Sequence, residues 1–224
     1  ATGLSVEPPL TVGQTAQTLR CRLDPTNSAD LDGAGPTTLA GMARVSAPQN
    51  AGPMATRTEW AHCAIDGVVH ACFAVTEWPR LEVPPNWMEP LLLHAGGIRT
   101  IAMHLEPVPP SQSHRRVDKD STKLIVDAEQ RSRSGFRIGA RHRRSEADVA
   151  ARESELVSGY CELEFCGLVT VTATTLDQLE RSCAEWEQVA AHAGLELRRL
   201  NGQHDVAFAC TLPVGIGPSR RSVE

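Results

Sequence analysis

The residues from Cys161 to Ala173 constrain the fold most: Cys161, Leu163, Phe165, Val169, Val171 and Ala173 alternate with Glu162, Glu164, Thr170 and Thr172. Alternation of apolar and polar side chains has the two-residue period of a β-strand, so the segment predicts a strand with one buried and one wet face. Such a strand cannot hide its apolar side alone; it needs neighbouring strands and a covering helix. The cover follows at once. Thr175 supplies an N-cap, Leu176, Leu179, Cys183, Trp186, Ala190 and Ala193 recur every three or four residues, and Gly194 ends the run.

Further strand signals lie on either side. Val68 to Val75 is short, apolar and closed by Trp78-Pro79, and Ile98 to Leu105 places Ile101, Met103 and Leu105 on one face before the stop at Pro107-Val108-Pro109-Pro110. Between them, Asn86 predicts the cap of a short helix carrying Trp87, Met88, Leu91, Leu92 and Leu93, which Gly96-Gly97 terminates. Two strands close the chain, Leu195–Leu200 and Val206–Leu212, the latter on the alternation of Val206, Phe208, Cys210 and Leu212; Asn201-Gly202 between them favours a hairpin.

From Ser111 to Gly159 the strand signals stop and Arg, Asp, Glu, Lys and Ala dominate, a helix-forming composition. Leu124, Ile125 and Ala128 mark the apolar side of a first arm, and Ala147, Val149, Ala150, Ala151, Leu156 and Val157 that of a second. Gly135 and Gly139 fall between them, which predicts an αα-hairpin over 111–159. The fold class that results is α+β: a ferredoxin-like split βαβ sheet with helices on one face and the αα-hairpin inserted at its edge.

Residues 54–217 form this α+β domain. Residues 1–53 are a largely irregular leader, because Asp24 to Pro53 is rich in Asp, Asn, Ser, Gly and Pro, although Val12 to Leu23 holds a short helix; 218–224 are a tail. The abrupt ends suggest a piece excised from a longer protein. No apolar run reaches the roughly 20 residues of a membrane helix, and the first residues lack the order of a signal peptide.

The formal charge of −5 is unlike that of a dedicated nucleic-acid binder, so any basic site must be local. Seven cysteines are best read as buried free thiols in a reducing compartment, and the spacing of Cys161 and Cys166 with no second close pair does not build a zinc site. There is no G-x-x-x-x-G-K-[ST] phosphate loop, no His-Glu-x-x-His pair and no Gly-x-Ser-x-Gly elbow; Gly215-Ile216-Gly217 reads as a loop. His104 and His192 read as structural, and Glu162 with Glu164 as the solubilising face of a strand rather than an acid/base pair. The sequence points to no enzyme, no cofactor and no metal.

One local anomaly remains. Arg131, Arg133, Arg137, Arg141, Arg143 and Arg144, with His142, lie in fourteen residues that contain no acidic side chain. Two readings stand: a docking surface for carboxylates, phospholipid headgroups or DNA phosphates, or a solvated hairpin tip whose arginines pair with Asp127, Glu129, Glu146 and Asp148. With only Phe136 interleaved, base stacking on a single strand is the least favoured functional version.

Thr76-Glu77-Trp78-Pro79-Arg80, Trp87-Met88-Glu89-Pro90-Leu91-Leu92-Leu93 and Ile98 through Glu106-Pro107-Val108-Pro109-Pro110 occur in that order. Gly135-Phe136-Arg137-Ile138, Arg152-Glu153-Ser154-Glu155-Leu156, Gly194-Leu195-Glu196-Leu197-Arg198 and Ala207 through Pro213 follow. The series, covering about Met54 to Gly217, resembles a family of actinobacterial membrane-linked proteins encoded in conjugative elements beside PrgI-family proteins and a VirB-type ATPase. More distantly, the layout is similar to the N-terminal domain of the CagE/TrbE/VirB type IV secretion ATPases, a module that precedes the motor. The resemblance implies a non-catalytic scaffold of a conjugative DNA-transfer machine, with the VirB-type ATPase and other membrane components as partners. It also implies a cytoplasmic place at the inner face of the membrane. A DNA-binding accessory role through the arginines is the alternative. Members of the nearer family usually begin with membrane-spanning segments, which this chain lacks, and no motor follows here, so ATP hydrolysis does not carry over.

Overall fold

The structure is a computed structural model that describes residues 10–25, 51–79, 83–94, 96–133 and 139–218, with the side chains of 131, 132, 140 and 141 left aside. Among these residues it is a mixed α/β protein with six helices and one six-stranded antiparallel sheet. The elements in order are α1 (Val12–Leu23), β1 (Thr56–Thr58), β2 (Cys63–Ile65), β3 (Val68–Glu77), α2 (Glu89–Leu93) and β4 (Ile98–Pro107), then α3 (Pro110–Arg133), α4 (Ala140–Val157), β5 (Leu163–Ala173), α5 (Leu176–His192), β6 (Glu196–Arg199) and α6 (His204–Thr211). The sheet runs β1–β2–β3–β5–β4, and β6 also pairs with β3. Two compact units divide the chain, one of residues 1–103 with 167–224 and one of residues 104–166.

In the first unit β3 is the axis. Its His70 lies between Cys63 of β2 and Thr172 of β5, and its Phe73 between Val169 of β5 and Arg199 of β6, so β2 and β6 share one edge of β3 in succession. The two-residue link between β2 and β3 is Asp66-Gly67, with φ of 52° and 100°. Both residues take the left-handed conformation that matches strand twist in a tight hairpin, and Asp-Gly tolerates it where most pairs do not. The Asp66 carboxylate also accepts from the Met54 and Ala55 N–H groups, each at 2.8 Å, and from the Arg20 guanidinium, which ties α1 to the hairpin. Burial acts to raise its pKa, but these donors together hold the carboxyl below its usual value.

Apolar side chains fill both sides of this sheet. One cluster joins Phe73, Val169, Val171 and Ala173 to Leu91 of α2 and to Leu179, Cys183, Trp186 and Ala190 of α5. The other joins Cys72, Ala74, Leu168, Cys63 and Ile65 to Leu23 of α1 and to Ala207, Phe208 and Cys210 of α6. Each fully buried side chain of Leu or Phe size contributes about 1.5–3 kcal/mol relative to exposure, so the two clusters dominate this unit's stability. α5 starts where the sequence places it: the Thr175 hydroxyl accepts from the Gln178 N–H at 3.3 Å, and Gly194 takes φ of 77° past its end.

Several expectations need correction. Helices pack on both faces of the sheet rather than one, so β5 is buried on both sides from Gly167 to Ala173, Thr170 and Thr172 included, while Leu163 and Phe165 are exposed. Val206–Leu212 is not a strand but most of α6. Its inward side chains, His204, Ala207, Phe208 and Thr211, step by three and four, and Val206 points to solvent. Asn201-Gly202 therefore turns the chain into a helix, not a hairpin partner. Asn86 caps nothing: its amide donates to the Glu89 carboxylate at 3.1 Å, and α2 begins only at Glu89. On β4, Ile101 joins the core but Met103 and Leu105 stay exposed.

The second unit contains α3 and α4, the two helices predicted by composition between 111 and 159; residues 134–138 between them lie outside the described residues. A charged lattice holds it together. Arg152 of α4 reaches Asp120 of α3 at 3.2 Å and Glu162 at 3.0 Å, and Arg116 of α3 reaches Glu164 at 2.6 Å. The backbone N–H of Val108 donates to the Glu162 carbonyl at 2.9 Å.

Candidate interaction surfaces and the buried polar cluster

The six arginines of the basic stretch fare differently. Arg137 lies outside the described residues, as do the side chains of Arg131 and Arg141. Arg133, at the end of α3, is exposed and sits 3.7 Å from Glu129 one turn back, an ordinary helix-surface pair. Arg143 and Arg144, in the first turn of α4, are exposed and have no carboxylate partner among the described residues. His142 beside them is buried, with Nε2 3.3 Å from Glu146 Oε1. Glu162 and Glu164, weighed above as a solvated face, accept from arginines: Glu164 from Arg116 and Glu162 from Arg152.

Polar chemistry concentrates inside the first unit, at residues that no motif singles out. His70 Nδ1 lies 2.8 Å from Thr172 Oγ1, and its ring stacks on Phe208 with centroids 4.4 Å apart. His204 Nδ1 accepts from the Cys72 N–H at 3.0 Å, so the neutral ring carries its proton on Nε2. The Cys72 thiol donates to the His204 carbonyl at 3.3 Å and touches Thr170, whose hydroxyl meets that of Thr211 at 3.2 Å. This chain of bonds locks α6 onto β3 and β5.

Burial holds these groups in their uncharged forms. Burial lowers His70 to about 4, against the upward influence of the Leu23 backbone and of Asp24. His204 is also held at about 4, first by burial and then by the positive field of Arg199 and His62. Burial pushes the Cys63 and Cys183 thiols up to about 12 and that of Cys72 further up, and a thiol kept protonated is a poor nucleophile. All seven cysteines are free thiols, but only four are buried; Cys161 is exposed. Among the described residues no three His, Cys, Asp or Glu side chains cluster as metal ligands.

Two clefts open on the first unit. One, of about 530 Å³, runs along α1 and is lined by Gln14, Thr18, Cys21, Arg22, Thr100 and Thr172. The other, of about 670 Å³, is an open apolar groove between the Pro84–His94 segment and α5, lined by Trp87, Pro90, Leu93, His94, Val189 and His192. Trp87 is fixed there by an edge contact with Trp78, ring centroids 6.3 Å apart. The groove carries carboxylates: Glu89 is part of its lining, and Glu185 of α5 stands 3.9 Å from His94 Nε2. Trp186, read as core from its helical spacing, is fully buried and donates its indole N–H to the Gly96 carbonyl at 3.4 Å.

No helix among the described residues is long and apolar enough to cross a membrane. A scan against protein-family models finds no match to this chain, and a search of curated proteins finds none either.

Proposed function

We propose that the chain is a non-catalytic assembly domain of a conjugative, type IV secretion-like DNA-transfer machine. In this reading it lies on the cytoplasmic side of the membrane and docks a VirB-type ATPase and other membrane components. The observation that carries the reading is the order of short motifs along residues 54–217. Its side-chain chemistry agrees: His70, Cys72 and His204 of the first unit are engaged in internal bonds, while charge and apolar surface face outward. The strand order β6–β3–β5–β4, with α2 and α5 in the connections, supports a ferredoxin-like split βαβ sheet into which α3 and α4 are inserted as an αα-hairpin. The test is copurification of the chain with the ATPase of such a machine. Capture that is lost when Arg141, Arg143 and Arg144 are reversed to Glu is expected; no capture of any component of the machine sinks the reading.

A DNA-binding accessory role is the second reading, favoured by the exposed Arg143 and Arg144, which have no carboxylate partner among the described residues, near the start of a helix with no acidic residue in its first turn. It predicts affinity for duplex or single-stranded DNA that falls steeply with added salt; an absence of binding at low salt removes it.

A further inference from the structure

We propose that the apolar groove between the Pro84–His94 segment and α5 is a docking site for the arginine-rich stretch 131–144 of a second copy of this chain. The groove and the stretch are complementary in kind. The groove offers an exposed Leu93, the half-buried Trp87 and Val189, and two prolines, flanked by the carboxylates of Glu89 and Glu185. Glu187 adds a third exposed carboxylate on α5. Among the described residues neither groove carboxylate has a strong partner: Glu89 accepts from the Asn86 amide, and Glu185 lies 3.9 Å from His94.

An occupant must therefore bring apolar anchors together with cations and no acid. Within this chain, residues 131–144 answer that description: Phe136 and Ile138 stand among six arginines without an Asp or Glu. Their described flanks, Arg133, Arg143 and Arg144, are exposed, and Arg143 and Arg144 have no carboxylate partner among the described residues. Guanidinium groups suit the carboxylates as forked donors, and the apolar pair supplies the burial that exposed ion pairs alone lack.

The groove and the stretch are different surfaces, so each copy donates its stretch to another and receives one in its own groove; reciprocal exchange closes a two-fold dimer, and exchange with a third copy generates a ring or an open filament. The inference does not rest on the transfer-machine reading, since it follows from the surfaces of this chain alone.

Sedimentation velocity of the full chain over a concentration series tests it, with the synthetic peptide 131–144 as a second probe. The expected result is concentration-dependent association to a dimer or a larger species. It weakens about fivefold with Glu185→Arg and to a similar degree with Arg143→Glu plus Arg144→Glu, and recovers when those two variants are mixed. The peptide is expected to bind the wild-type chain and to lose affinity with Leu93→Asp, an exposed position where folding is not at stake. A chain that stays monomeric at every concentration overturns the proposal, even if the peptide binds. So does association that both charge reversals leave unchanged, or peptide affinity that Leu93→Asp and Glu185→Arg do not alter.

Discussion

Acidification from pH 7 to about 4.5 should destabilise the first unit through His70. The ring is fully buried, bonded to Thr172 and stacked on Phe208, and its pKa is lowered from 6.5 to about 4. Between those values the unfolded chain takes up a proton that the folded chain refuses, so stability is fully present above pH 6.5 and falls as the pH drops towards 4. At about 1.4 kcal/mol per pH unit, the loss from this single residue is about 2–3 kcal/mol by pH 4.5. The sign is the same for His204. The other groups facing His70 are Asp24 and the Leu23 backbone, both of which oppose the shift without cancelling it. Denaturant titrations followed by tryptophan fluorescence read this unit selectively, because Trp60, Trp78, Trp87 and Trp186 all belong to it. His70→Gln retains a polar atom for Thr172 but does not titrate. It should be less stable at pH 7 yet lose about 2–3 kcal/mol less than wild type on acidification. Parallel stability-versus-pH curves for the two proteins would refute the argument.

Phe208→Ala should cost about 3–5 kcal/mol, since it empties a site between α6 and β3 and removes the ring under His70; equilibrium unfolding measures it, and a loss below about 1 kcal/mol would contradict the two-sided core. Thiol labelling of the native protein followed by peptide mass mapping should modify Cys161 first and Cys63, Cys72 and Cys183 only on unfolding, because burial both shields these three and keeps them protonated. Thr175→Ala should lower stability by about 1 kcal/mol by leaving the Gln178 N–H without its acceptor, which a thermal melt reads as a small shift.

What could be read from the sequence depended on whether one face of an element stays wet. α5 declared itself because its exposed and buried stripes differ, and Thr175 and Gly194 mark its ends. β5 was placed correctly, but its burial was not: Thr170 and Thr172 look solvent-facing, and only the cover supplied by α1 and α6 makes them interior. α6 was hidden by its own composition. Nearly all of its residues are apolar or small, so the two-residue pattern of Val206, Phe208, Cys210 and Leu212 and the helical pattern of His204, Ala207, Phe208 and Thr211 coexist in one string. Tertiary burial chose between them. The β2–β3 hairpin had a signal that was passed over, the Asp66-Gly67 pair, whose flanking runs are too short on one side to stand out. The basic stretch was plain, but the groove on α2 and α5 was not, since it assembles from Trp87, Leu93 and Val189 across a hundred residues of chain.

The placing of β2 and β6 end to end on the same edge of β3 bears on how the protein is made. Both strands need β3, but β2 precedes it by a tight turn, whereas β5, on the opposite edge of β3, and β6 leave the ribosome only after α3 and α4. Arg199 then closes the unit with a bond to the Ala61 carbonyl that spans 138 positions. At elongation rates of about 5–20 residues per second, β3 waits several seconds with Phe73, Val75 and both of its edges incompletely covered. A nascent chain of this design depends on the holding of an unfinished sheet, and its yield on synthesis should follow the supply of ribosome-associated chaperone more closely than the stability of the finished fold.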